Sequence, residues 1–184
     1  MPASYVLALG LDGPTAAACL TPAERRACAA LPSDVRRRDW RAGRLAAKRA
    51  VRAARLPAAR LTLSIAHVAG RAAAVAVPAP GRVGIDLERA GAVRPAQARY
   101  FLTRAERRLA RRLGLTVLWT LKEAAWKALR ADDATPFAAL ELHADPRGGV
   151  EGVSLHGRRH RARALVARPW PGFVLAVIWV SQAR

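Results

Sequence analysis

Four short runs of apolar, mostly β-branched or aromatic residues, Tyr5 to Leu11, Ala72 to Val77, Val83 to Leu87 and Phe173 to Val180, have strand length and read as strands. Two longer stretches, Asp39 to Arg55 and Val117 to Leu129, return apolar residues at helical spacing. Thr103 opens a Thr-x-x-Glu capping box with Glu106, which predicts a helix running through Arg112. Each half of the chain therefore reads strand, long helix, strands, with the boundary near Pro78 to Gly81. The predicted fold is α+β, two similar lobes in a pseudo-dimer, each a small antiparallel sheet packed against a long helix. Residues 1–80 would form the N-terminal, ligand-holding lobe and residues 81–184 the C-terminal lobe, packed as one unit with a ligand at their interface.

The halves also match in sequence, in the same order. Leu9-Gly10-Leu11-Asp12 resembles Val83-Gly84-Ile85-Asp86, and the helical stretch from Ala46 to Ala53 resembles that from Ala124 to Ala131. Gly70 through Val75 resembles Gly172 through Val177. Three matches in one order point to an internal duplication.

At 184 residues the chain suffices for one substantial domain or two small lobes sharing a core. Its 32 Lys and Arg against 13 Asp and Glu give a net charge of +19, which selects anionic partners without identifying them. All but three of the basic residues are Arg; of the lysines Lys48, Lys122 and Lys127, two lie five residues apart, where a compact ammonium would be needed in place of a guanidinium fork. Cys19 and Cys28 match no metal-ligand spacing and no disulfide framework, so a reducing compartment is expected. The start of the chain carries no basic leader, and no apolar run approaches the roughly 20 residues that cross a bilayer. A cytoplasmic protein without membrane contact is the expectation.

Residues 40 to 85 contain no acid, and then Asp86 and Glu88 follow two apart. On a strand both carboxylates leave one face while Ile85 and Leu87 point inward, a geometry that suits either exposed acids at a strand end or ligands for a hard cation. Trp119, Glu123 and Lys127 share one helical face, as do Lys122 and Trp126. That arrangement serves an ordinary amphipathic helix with an ion pair or a surface offering a carboxylate and an ammonium together.

Three blocks settle the balance: Val83-Gly84-Ile85-Asp86-Leu87-Glu88, then Phe101-Leu102-Thr103-Arg104-Ala105-Glu106, then Trp119-Thr120-Leu121-Lys122-Glu123-Ala124 followed by Lys127. In order and spacing they resemble the signature blocks of the 4'-phosphopantetheinyl transferases, and the two-lobed length resembles the surfactin-synthetase-activating class of pseudo-dimeric monomers. The resemblance implies an enzyme that moves the phosphopantetheine arm of coenzyme A onto a serine of an acyl or peptidyl carrier protein, releasing 3',5'-ADP. It implies Mg, or Mn, on Asp86, Glu88 and Glu123. It implies Glu123 as the base, with Glu106 as an alternative base or an orienting group for the metal shell. Lys127 would stabilise developing charge, and Lys122 would contact the phosphates. Arg38, Arg44 and His67 fall where the family holds CoA phosphate. Two features depart from the family: Ala66 and Val68 stand where serines often flank the histidine, and the usual Gly-Lys-Pro loop is absent between Arg55 and Ser64.

Carrier proteins are usually acidic, and Arg104, Arg107, Arg108, Arg111 and Arg112 would steer one to the site or serve only solubility. Two other readings compete. A nucleic-acid-binding protein would explain the charge but not the acidic triplet, and the chain shows no recognisable nucleic-acid motif. A CoA or carrier binder without turnover would explain the departures but not the retained Asp86, Glu88, Glu123 and Lys127. The expected partners are CoA and an acidic carrier protein, with no nucleic acid and the enzyme a monomer.

Overall fold

The computed structural model describes residues 5–132, 134–147 and 149–181. The first lobe opens with strand β1 (Val6–Leu11), followed by two short helices, α1 (Pro14–Ala18) and α2 (Pro22–Ala29). The capping box of Thr21 and Glu24 starts α2, and Ser33 caps the long helix α3 (Asp34–Ala54). Strands β2 (Leu61–Val68) and β3 (Arg71–Pro78) complete an antiparallel sheet in the order β1-β3-β2. Alanines make the helix-sheet joint: Ala42, Ala46 and Ala50 of α3 lie on Ala72, Ala74 and Ala76 of β3. Small side chains on both sides let the helix settle close to the sheet.

The second lobe holds β4 (Arg82–Arg89), α4 (Ala98–Phe101), α5 (Glu106–Leu113), α6 (Leu115–Leu129), β5 (Leu140–Ala144), β6 (Val150–Leu155), β7 (Arg158–Ala167) and β8 (Phe173–Val180). Its antiparallel sheet runs β4-β8-β7-β6-β5. Leu118, Leu121 and Ala125 of α6 pack on one face against Leu140, Val153 and Ile178. On the other face Ile85, Leu87, Leu175 and Val177 meet Ala73, Val75 and Val77 of the first sheet. The layers are therefore helix, sheet, sheet, helix. Strand β8 lies under both a helix and a sheet and is buried at every position, which is why its sequence is a continuous apolar run. The fold is α+β with two similar lobes, as the hydrophobic pattern predicts.

The internal match needs one correction. Gly10 and Gly84 are true counterparts, because each lies where a Cβ would overlap helix backbone. Gly10 faces the Ala42 carbonyl and the Ala46 nitrogen of α3, whereas Gly84 faces the Ala124 carbonyl and the Ala128 nitrogen of α6. The sequence match pairs Ala46 with Ala124, one helical turn away. Strand pairing slips equally: Gly10 sits opposite Ala72, and Gly84 sits opposite Ile178, where the sequence match would place Val174. Alanine-rich segments slide by a turn without losing apparent identity, so the two lobes share an architecture but not the register that sequence alone suggests. Gly84→Ala should lower stability by about 2–3 kcal/mol, the upper range of overpacking costs. The measurement is the urea midpoint at unchanged m-value.

Candidate active site

Strand β4 and helix α6 run against each other with Gly84 as the point of closest approach, and this contact brings the carboxylates together. Asp86 and Glu88 leave β4 on the α6 side, while Ile85 and Leu87 are buried between the sheets. Asp86 is only 8% exposed, which excludes the alternative of free acids at a strand end. Lys127, one turn after Glu123 on α6, donates from Nζ to Asp86 Oδ1 at 2.8 Å and to the Ile85 carbonyl at 3.0 Å. The second oxygen of Asp86, Oδ2, is buried and has no hydrogen-bond partner.

The electrostatics show that the acids crowd one another. Burial raises the pKa of Glu123, with the Asp86 and Glu88 charges adding to it and Lys127 opposing. Glu88 is raised in the same way, by burial first and by Asp86 next. Carboxylates held together out of water resist ionisation unless a cation joins them. As the side chains lie, no group of three His, Cys, Asp or Glu among the described residues is gathered closely enough to hold a metal ion. The orphaned Asp86 oxygen and the mutual repulsion nevertheless describe a donor set suited to a hard, oxygen-seeking cation.

Glu106 and Lys122 lie elsewhere, and here the roles implied by sequence are corrected. Lys122 is fully buried, and its Nζ donates to Glu106 Oε2 at 2.7 Å, to the Phe101 carbonyl at 2.6 Å and to the Leu140 carbonyl at 2.6 Å. An ammonium has three protons and all three are taken, so none is left for a phosphate. Glu106 is 1% exposed, and its carboxylate also accepts from the Thr103 and Leu142 amides, each at 2.9 Å. The capping box therefore doubles as the seat of a buried ion pair tying the end of α4, the start of α5 and β5 to α6. Phe137, stacked between Trp119 at 4.9 Å and Trp126 at 5.0 Å, lies 6.0 Å from the Lys122 ammonium. Burial lowers the Lys122 pKa while Glu106 opposes the shift.

The expected phosphate ligands of the first lobe fall at one end of the β2–α3 contact. The His67 side chain is half exposed, with Nδ1 4.0 Å from Asp39 Oδ2, and its ring lies above Gly43 of α3. Arg44 lies over the Trp40 ring at 5.1 Å. The Arg38 side chain is exposed, with no hydrogen bond or ion pair among the described residues. Two neighbouring arginines have structural partners: Arg37 holds Asp34 and the Leu31 carbonyl, and Arg41 clamps Asp12 with bonds of 2.7 and 2.8 Å. Asp12 is the counterpart of Asp86 in the sequence match, and a guanidinium already fills its coordination.

Strands β2 and β4 meet edge to edge, with the Ile85 amide donating to Ser64 Oγ at 3.1 Å. Beside this seam opens a cavity of about 470 Å³ lined by Thr62, Leu63, Ser64, Ile65, Arg82, Val83, Lys127, Ala128 and Arg130. Sequence reasoning missed Arg82 and Arg130, because in an arginine-rich chain nothing distinguishes them until the fold places them around Lys127. The five arginines around α5 are all exposed, and among the described residues only the Arg112 side chain makes a hydrogen bond, to the Arg147 carbonyl.

Comparison with known proteins gives one family and a set of distant structures. The family model described as 4'-phosphopantetheinyl transferase superfamily matches residues 82–178, from the start of β4 into β8. Among solved structures, the holo-[acyl-carrier-protein] synthase of Thermotoga maritima is similar at 21% identity and a TM-score of 0.44, over 56% of this chain and 64% of that one. A Chronobacterium ammoniagenes ACPS–CoA complex is similar at 19% identity and a TM-score of 0.43, over 56% of this chain and 98% of that one. No curated protein matches the chain.

Proposed function

Because the chain belongs to the 4'-phosphopantetheinyl transferase superfamily, we propose that it transfers the phosphopantetheine arm of coenzyme A to a serine of an apo carrier protein. The observation that carries this reading is the buried, unpartnered Asp86 oxygen beside Glu88 and Glu123, inside the matched segment. Mg fits this donor set, with Asp86, Glu88 and Glu123 as its protein ligands. When bound it would supply positive charge to the pyrophosphate oxygens.

The chain's own residues supply the rest. The serine oxygen forms a bond to the β-phosphorus of CoA, the bond to the bridging oxygen breaks, and 3',5'-ADP leaves with the electron pair. Glu123 takes the serine proton, a role suited to a carboxyl made more basic by burial and by Asp86. Lys127 holds its ammonium between Asp86 and the interlobe cavity, where it meets the leaving phosphate. His67, Arg44 and Arg38 hold the 3'-phosphate, and the half-exposed His67 leaves ring atoms open to it. The exposed arginines of α5 steer an acidic carrier by long-range attraction. Both lobes come from one chain, which supports a monomeric enzyme in the manner of the surfactin-synthetase-activating class.

The test is the intact mass of an apo carrier protein after incubation with the enzyme, CoA and Mg. A gain equal to one phosphopantetheine, abolished by EDTA, is the expected outcome. No gain across acyl and peptidyl carriers would refute the assignment.

A further inference from the structure

The seam between the lobes has a direction. The Ala79 amide donates to the Arg60 carbonyl at 2.9 Å, so the turn after β3 sets the start of β4 beside the start of β2. The two strands run parallel from there, with the Ile85 amide on Ser64 Oγ at 3.1 Å. His67, three residues beyond Ser64, therefore lies toward Glu88, and Thr62 lies toward Arg82. Helix α6 passes Gly84 between Ala124 and Ala128, which puts Glu123 on the Glu88 side and Arg130 on the Arg82 side. The cavity of about 470 Å³ begins at Lys127 and opens toward these two arginines, away from His67.

Arg82 leaves β4 on the same face as Asp86, because Val83 and Ile85 point the other way into the core between the sheets. The Arg82 and Arg130 side chains are both exposed and have no hydrogen bond or ion pair among the described residues. Leu63, Ile65 and Val83 give the cavity apolar walls between Lys127 and that cationic end.

On the transfer reading above, the pyrophosphate of CoA sits at Asp86, Glu88 and Glu123 and its adenosine half turns to His67. The pantetheine arm is then left the cavity, whose apolar walls suit its methyl and methylene groups. About thirteen bonds separate the β-phosphorus from the sulfur, and an extended chain advances roughly 1.2 Å per bond, about 16 Å in all. The four residues of β4 from Asp86 to Arg82 span about 13 Å. The sulfur thus emerges level with the two arginines, and an acyl group on it continues between them.

We propose that Arg82 and Arg130 select CoA thioesters whose acyl group ends in a carboxylate, so that carriers are loaded with an acidic acyl-phosphopantetheine in preference to an uncharged one of equal length. The selection rests on the transfer reading and changes no bond in it: the serine oxygen joins the β-phosphorus, 3',5'-ADP leaves with the electron pair, and the thioester stays intact. A carboxylate just past the sulfur meets two guanidinium forks with open donors. An uncharged tail gains nothing from them.

The experiment measures kcat/KM for transfer from CoA, malonyl-CoA and propionyl-CoA to one apo carrier by intact mass, with the native protein and its Arg82→Gln/Arg130→Asn variant. Asparagine is chosen at 130 because the backbone there is left-handed, with φ 54°. The expected result at low salt is malonyl-CoA favoured over propionyl-CoA by about tenfold in the native protein and a ratio of about one in the variant. The ratio is taken within each protein, so a general loss of turnover cancels. Equal use of the two thioesters by the native protein, or a preference unchanged in the variant, would overturn the proposal while transfer from CoA upholds the reaction. No transfer from CoA itself would remove the reaction and the proposal together.

Discussion

Asp86→Ala is expected to cut phosphopantetheine transfer by at least about 10³-fold, the upper range for removing one preorganised charge-stabilising group from an active site. Three observations converge on this residue. Its Oδ1 receives the Lys127 ammonium at 2.8 Å, its Oδ2 is buried without a partner, and its charge raises the pKa of both Glu88 and Glu123. Removing it takes away the buried oxygen proposed to hold a cation and, among the described residues, leaves Lys127 with the Ile85 carbonyl alone. Asp86→Asn keeps the volume and removes the charge, so a comparable loss in that variant would assign the effect to electrostatics. The same variant carries a readout apart from turnover. With one like charge gone, the Glu88 and Glu123 carboxyls should titrate at lower pH by carbon-detected NMR, partway only, because burial remains the larger cause of each shift. Turnover close to that of the native enzyme with CoA and carrier would remove Asp86 from the site.

Lys122→Ala should do the opposite kind of damage: a loss of about 3–5 kcal/mol in folding stability, the cost of leaving a buried carboxylate unpaired. Glu106, 1% exposed in the native protein, would keep the Thr103 and Leu142 amides as its partners among the described residues, and the Phe101 and Leu140 carbonyls would lose a shared donor. Such a loss is a large part of a typical domain's total stability, so the variant is to be measured by urea denaturation at low temperature. The double change Lys122→Met/Glu106→Gln removes both charges and should recover much of the loss. A structural clamp predicts that residual activity follows the folded fraction with KM for CoA unchanged. A stable Lys122→Met protein with a raised KM for CoA would instead restore the phosphate contact that the sequence implies.

These two residues show how far the sequence could be read. Asp86 was legible because the chemistry is local: a carboxylate two positions from another, on a strand whose alternate residues are apolar. The capping box at Thr103 and Glu106 was legible for the same reason. The clamp was not, since the partners of Lys122 come from residues 101, 106 and 140, whereas the helical face drawn from the sequence gave it only Trp126. A signal was present, because Leu118, Leu121 and Ala125 flank Lys122 at helical spacing and place it on a buried face. Strands β6 and β7 escaped because glycine and arginine break up their apolar alternation; the edge strands β2 and β5 do alternate, as Leu61-Thr62-Leu63-Ser64-Ile65 and Leu140-Glu141-Leu142-His143 show, and their signal was open to reading. Helix α3 begins at Asp34 rather than Asp39, since Ser33 supplies the cap and a polar first turn carries no apolar period. Helices α1 and α2 are too short for periodicity to reveal.

The bond from the Ile85 amide to Ser64 Oγ has a meaning beyond the seam it closes. Among the described residues every other hydrogen bond of β4 is to its own sheet or to α6, whereas this proton is sheltered by a side chain of the other lobe. Its rate of exchange with solvent deuterium is therefore governed by separation of the lobes, not by fraying of the strand. The amide next to Asp86 thus acts as a natural gauge of how often the two halves of the molecule part.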